Sequence, residues 1–150
     1  MSSLVAEAYL APAAGEADII SCATPATGPV IKGDWREPGS HLDLVGSFRP
    51  TMREADDQCV CRGTIFIDTP QAPHESGDLT QPIGAGLLTP DDIAGTLPDL
   101  CAGTIPGRRT QEGITVFNAV GSALTDLTAT SAVHRSPGPS PRAHTCQEPT

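Results

Sequence analysis

Aromatic residues are scarce in this chain. One Trp, one Tyr and three Phe make up 3% of 150 residues, so a core built from it must be aliphatic. No run reaches the ~18 apolar residues that a membrane-spanning helix needs, and no basic stretch followed by an apolar one opens the sequence as an export signal would. We therefore expect no membrane partner and a cytoplasmic location. Bases are also few: 9 Lys and Arg face 18 Asp and Glu, for a formal charge of −9. That excess repels a phosphate backbone unless the bases gather on one face. Arg36, Arg49, Arg53 and Arg62 stand scattered among acids, and Arg108-Arg109 is the only adjacent basic pair. Nucleic acid is not expected as a partner.

Paired cysteine spacings are missing as well. Cys22, Cys59, Cys61, Cys101 and Cys146 are odd in number, Cys59 and Cys61 lie one residue apart, and no histidine stands at ligand spacing from them. No metal site is expected, and the cysteines read as reduced thiols filling small apolar spaces. His41 and His74, the only histidines before Val133, have no Ser or Cys nucleophile at a recognisable elbow. No Gly-x-Ser-x-Gly, P-loop or Gly-x-Gly-x-x-Gly motif occurs, and Gly84-Ala85-Gly86 follows no strand-like run. A hydrolase finds no support, and a dinucleotide fold would lack its phosphate-binding half.

What is present is one domain's length of chain, parsed by 15 Pro and 15 Gly. Three short apolar runs read as strands: Asp18 to Thr24, His41 to Ser47 and Thr64 to Thr69. Their near-continuous apolar character fits strands covered on both faces. The segments between them, above all Met52 to Arg62, can hold helices, which predicts a parallel α/β sheet. Ser3 to Ala14 is alanine-rich and helix-compatible, with Pro12 as an interruption.

Beyond Pro70 the pattern turns helical. Thr89-Pro90-Asp91-Asp92 carries the capping residue, proline and first-turn acids of a short helix start. Val116, Ala119, Val120, Ala123, Leu124 and Leu127 fall on one helical face and predict a longer helix after Gly113. The proline-rich end from Ser136, which holds no large aliphatic residue, is expected to be disordered.

In an open parallel sheet, ligands bind outside the carboxyl ends of the strands. That rule selects Thr24 to Thr27, Val45 to Pro50 and Asp68-Thr69. Gly46 reads either as a place where a planar ligand meets the main chain or as a plain turn glycine. Ser21, Thr24 and Thr27 read either as donors to a ribose or phosphate or as an ordinary loop. Asp43, in mid-strand, calls for a structural hydrogen-bond partner.

Longer stretches carry a family resemblance. Ala17-Asp18-Ile19-Ile20-Ser21-Cys22-Ala23-Thr24-Pro25-Ala26-Thr27 and the run from His41 to Asp57 resemble the ornithine cyclodeaminase/mu-crystallin family. So do Glu75-Ser76-Gly77-Asp78-Leu79 with Pro82, Gly103 through Gly107-Arg108-Arg109, and Ile114 to Gly121.

The resemblance implies the later half of a Rossmann-type sheet, with C-terminal helices returning to a second, mostly absent, domain. Residues 1–70 would be a partial NAD(P)-binding domain, 71–133 its remainder and the return segment, and 134–150 a disordered tail. The glycine-rich loop, the ribose-binding acid and the Arg and Lys that hold a substrate carboxylate would precede Met1. The family's cyclodeaminase branch places an aspartate two residues after the glycine matched by Gly46, where this chain has Phe48. An aromatic ring shuttles no proton. The segment therefore looks like the Δ1-pyrroline-2-carboxylate reductase branch, in which NAD(P)H reduces a cyclic imino acid such as Δ1-pyrroline-2-carboxylate to proline.

By carry-over, Thr24, Val45, Gly46, Ser47 and Ala119 would contact the cofactor, and Phe48 and Val120 the substrate, with no catalytic residue assigned. Ala119 stands where the family commonly has serine, which removes a donor. Full-length relatives would be homodimers, and this chain an inactive fragment. The alternatives are ornithine cyclodeamination and mu-crystallin-like binding of NADPH or a small ligand without catalysis.

Overall fold

The computed structural model describes residues 9–136. Its main sheet has five strands, all parallel: β1 (Ile19–Cys22), β3 (His41–Leu44), β5 (Thr64–Ile67), β6 (Ile93–Thr96) and β7 (Thr115–Asn118). They stand in the order β1-β3-β7-β5-β6. A separate two-stranded parallel ribbon joins β2 (Thr27–Ile31) to β4 (Arg53–Ala55). The three strands expected from apolar runs are β1, β3 and β5, and the α/β parallel class holds.

The middle of the sheet is where the core lies. Leu42, Leu44, Ile65 and Val116, on three neighbouring strands, are at most 1% exposed, and full burial of such a side chain is worth about 1.5–3 kcal/mol. Asp43 has the partner it required: the Ser21 hydroxyl donates to its carboxylate at 2.7 Å. β1 pairs on one side only, with β3, so it forms an edge of the sheet as described.

The helix expected after Gly113 is corrected by the structure. Thr115–Asn118 is β7, the strand between β3 and β5, and the helix that follows, α6 (Ala123–Arg135), begins only at its cap, where the Ser122 side chain accepts from Thr125 N–H. Leu124 and Leu127 are 74% and 64% exposed rather than packed on a helical face. Tertiary pairing overrides the periodicity because a four-residue strand between two apolar neighbours saturates its ladder on both edges.

Met52 to Arg62 is likewise divided. Arg53–Ala55 extends as β4, and only Asp57–Cys61 is helical (α2), capped by Asp56. Thr27, read above as part of a loop, is the first residue of β2. Thr89-Pro90-Asp91-Asp92 forms a three-residue 3-10 turn with a reciprocal Thr89–Asp92 cap, and then enters β6 rather than a helix. The chain beyond Pro70 therefore holds two strands as well as helices.

Between β5 and β6 lie α3 (Ala72–Glu75) and α4 (Gly77–Gly84), and α5 (Leu97–Ala102) leads from β6 toward β7. Helix α1 (Leu10–Glu16) contains Pro12 in its first turn, where a missing N–H costs no intrahelical bond. Ser3 to Ala8 and the proline-rich end after Ser136 lie outside the described residues. Gly84-Ala85-Gly86 closes α4, so it follows a helix and not a strand. Among the described residues no helix is long and apolar enough to cross a membrane, and no cluster of His, Cys, Asp or Glu is arranged to hold a metal.

Candidate functional site at the carboxyl edge of the sheet

Because the five strands run in one direction, the loops after Cys22, Leu44, Ile67, Thr96 and Asn118 share one edge. Two carboxylates tie these loops together. Glu54, carried by β4 and fully buried, accepts from the backbone N–H of Thr24 through one oxygen and from that of Gly46, at 2.7 Å, through the other. It thus joins the loops after β1 and β3. Asp68 accepts from Thr69 N–H and Gly121 N–H, each at 2.7 Å, and joins the loops after β5 and β7. Gly121 has φ +81°, a conformation that favours glycine.

A second buried acid supports the first. Asp78, 1% exposed in the first turn of α4, accepts from the backbone N–H groups of Glu54 and Ala55 at 2.9 and 2.8 Å. Burial pushes its pKa above the ordinary carboxylate value, against the pull of those two hydrogen bonds. Beside it runs a buried polar chain. The Asn118 amide donates to the Ser76 hydroxyl at 3.0 Å, that hydroxyl to Ser47 at 3.1 Å, and Ser47 to the Met52 carbonyl at 2.8 Å.

These contacts place the expected site residues in distinct surroundings. Val45 is 44% exposed and, with Ala119 and Phe117, helps line a cleft of about 580 Å³ at the carboxyl edge; Leu97 and Leu124 add apolar walls, and Thr69 and Ser122 add polar rims. Ala119 is held there by its N–H donating to the Leu44 carbonyl at 2.9 Å. Ser47 is 0% exposed, and its hydroxyl is engaged inside the protein. Phe48 is half-exposed, with the Arg49 guanidinium 5.5 Å from its ring centroid. Val120 packs against the core. Neither Phe48 nor Val120 lines the cleft that Val45 and Ala119 share.

At Gly46 the need for glycine comes from the protein itself. A Cβ there would overlap the Thr24 carbonyl and the Glu54 carboxylate. The Thr24 hydroxyl accepts from Ala26 N–H at 3.4 Å, and that of Ser21 is given to Asp43. Glu54 is the residue that composition and periodicity miss. It stands in Met-Arg-Glu-Ala-Asp-Asp, a polar run that reads as helix surface, and nothing local signals that its carboxylate is buried.

Chemically, the edge offers an apolar cleft and firmly placed backbone. Each oxygen of Glu54 and of Asp68 accepts one main-chain amide, and Asp68 also stands in the lining of the cleft. Two buried thiols are shifted upward: burial and the Glu54 charge push Cys22 to about 11, and burial pushes Cys59 to about 12, while the exposed Cys101 lines the cleft.

Comparison with known proteins places this geometry. The family model for the ornithine cyclodeaminase/mu-crystallin family matches residues 3–137. Protein SAR DEFICIENT 4 of Arabidopsis thaliana is 45% identical over 117 residues, which are 78% of this chain and 36% of that protein. A Δ1-pyrroline-2-carboxylate reductase of Paracoccus denitrificans is 40% identical over 135 residues, 89% of this chain and 43% of its own. The solved Δ1-pyrroline-2-carboxylate reductase of Thermococcus litoralis, in complex with NADH and L-proline, superposes with a TM-score of 0.78 at 33% identity, covering 83% of this chain and 39% of that one. The chain thus spans about two fifths of the length of the relatives it matches.

Proposed function

The chain belongs to the ornithine cyclodeaminase/mu-crystallin family, and from that premise we propose that it carries the nicotinamide and imine half of an NAD(P)H-dependent reductase of cyclic imino acids, Δ1-pyrroline-2-carboxylate being the substrate of choice. The observation that carries this reading is the carboxyl edge itself. There Val45 and Ala119 line one apolar cleft, and Glu54 locks the Gly46 loop to the Thr24 loop.

The described residues fit one end of the cofactor. Val45, Phe117 and Ala119 would supply apolar surface for a nicotinamide ring. For the diphosphate the turn after β1 offers no counterpart: β1 is followed by β2 and not by a glycine turn opening a helix, so the backbone donors and helix dipole of such a turn are not found there. The chemistry a nicotinamide supplies when bound is delivery of a hydride to the imine carbon. The chain's own part is to place the ring on the apolar side of the cleft and hold the loops still. On its own it would bind dinucleotide weakly and turn over little.

Phe48 argues against cyclodeamination, because it puts a half-exposed ring where that chemistry calls for a proton-carrying side chain. In this reading the partners are a small cyclic imino acid and a second copy of the full-length protein, and the location is cytoplasmic.

The test is NMR mapping with reduced nicotinamide mononucleotide, which presents the ring without a diphosphate bridge. Shift changes centred on Val45, Gly46 and Ala119 support the reading. Changes confined to the opposite, amino edge, around Gly39 and Arg108, contradict it.

A further inference from the structure

We infer that Glu54 is the positioning residue of this site: its carboxylate bridges the loops after β1 and β3 and fixes the Val45-Gly46 backbone at the rim of the cleft. The inference rests on the reading of the site given above. It concerns a residue that touches neither cofactor nor substrate and acts through Gly46 and Thr24.

Three observations carry it. First, Glu54 is 0% exposed and has no Arg or Lys partner among the described residues, where the one side-chain ion pair is Arg53 with Asp57. A buried carboxylate without a cation is costly unless its lone pairs are filled. Here each oxygen accepts one main-chain N–H. Hydrogen bonds to a charged acceptor are roughly twice as strong as neutral ones, so the loops are held more firmly than by ordinary loop contacts.

Second, the two amides belong to residues 22 positions apart in sequence, on loops after neighbouring strands. Gly46 permits the approach because it has no Cβ to collide with Thr24 or with the carboxylate. Donor, acceptor and missing side chain form one unit.

Third, Glu54 is itself held from behind. Asp78 accepts from the Glu54 and Ala55 amides, and Asp78 N–H lies 3.4 Å from the Ser47 hydroxyl. Helix α4 therefore fixes β4, β4 fixes Glu54, and Glu54 fixes the edge of the cleft one residue from Val45. Such a chain of positioned contacts matters because a displacement of about 1 Å at a reacting centre can cost on the order of a hundredfold in rate.

The test compares the 150-residue chain with Glu54→Gln and Glu54→Asp, using reduced nicotinamide mononucleotide as the probe and far-UV circular dichroism as the check on folding. In the unsubstituted chain, through-hydrogen-bond coupling should connect the Glu54 carboxyl carbon to the Thr24 and Gly46 nitrogens. In Glu54→Gln, whose amide group must set a donor against one of the two N–H groups, the mononucleotide affinity should fall roughly tenfold to a hundredfold. The Leu42 and Val116 amide signals should stay in place. Glu54→Asp, which keeps the charge, should recover part of the loss.

Couplings absent from the unsubstituted chain overturn the inference without recourse to any variant. A mononucleotide response that persists unchanged in Glu54→Gln overturns the positioning role and leaves the reading of the site standing. No response in the unsubstituted chain removes that reading, and the positioning role with it.

Discussion

Gly46 donates its backbone N–H to the Glu54 carboxylate, 2.7 Å away, from a position that admits no side chain. The partnership therefore has a direct stability consequence. Gly46→Ala should force the Thr24 loop away and cost about 1–3 kcal/mol, as overpacking of a filled interior does. The control is Gly28→Ala, where an added Cβ meets nothing within 4 Å. Urea unfolding should show a clear drop in midpoint for the first and little change for the second.

Asp78 gives the molecule a pH-dependent component of stability. Burial raises its folded-state pKa above the ordinary 3.8, so in the folded state the group binds its proton more readily than in the unfolded one. The contribution is fully present below the unfolded value and is lost as pH rises through the raised, folded value. Asp78→Asn, which keeps an oxygen for the Glu54 and Ala55 amides, should lack this component. Thermal melts across the acid range should show a smaller fall with rising pH for the variant than for the unsubstituted chain.

The thiols should divide by burial. Cys22 and Cys59, held at about 11 and about 12, carry almost no thiolate at neutral pH, whereas Cys61 and Cys101 are exposed. Brief iodoacetamide treatment of the folded chain, read by peptide mass spectrometry, should label Cys61 and Cys101 and spare Cys22 and Cys59 until urea is added.

The outer edge of β1 should make the chain self-associate. Ile19 is 71% exposed on a strand that, among the described residues, is paired on one side only, beside an apolar groove of about 390 Å³ lined by Leu10, Ala13, Ala17 and Val30. Unpaired apolar edges recruit other strands. Light scattering should show mass rising with concentration, and Ile19→Lys should suppress the rise.

Legibility in the sequence followed apolar runs bounded by turn residues. Ile65-Phe66-Ile67 is buried on both faces of the sheet, Leu42 with Leu44 on one, and Ile19-Ile20 announces its strand although Ile19 stays exposed at the sheet edge. Thr115–Asn118 hides because Val116 joins a spurious helical stripe with Ala119, Ala123 and Leu127; what makes it a strand is the pair of neighbours, His41–Leu44 and Thr64–Ile67, found only in three dimensions. Arg53–Ala55 hides for a different reason. A glutamate in mid-strand reads as solvent-facing until its two amide partners, remote in sequence, are known.

The site divides along the same line. Val45 and Ala119 line one cleft, while Ser47 turns inward to Met52 and Ser76, a placement that residue type alone does not foretell.

The account stands most directly on a side-by-side titration of the chain with NADPH and with reduced nicotinamide mononucleotide under the same conditions. If these residues grip only the nicotinamide end, the two dissociation constants should agree within about threefold, less than about 1 kcal/mol apart. NADPH binding a hundredfold or more tighter, about 2.7 kcal/mol or beyond, would mean that the chain holds a diphosphate after all, and would contradict the account.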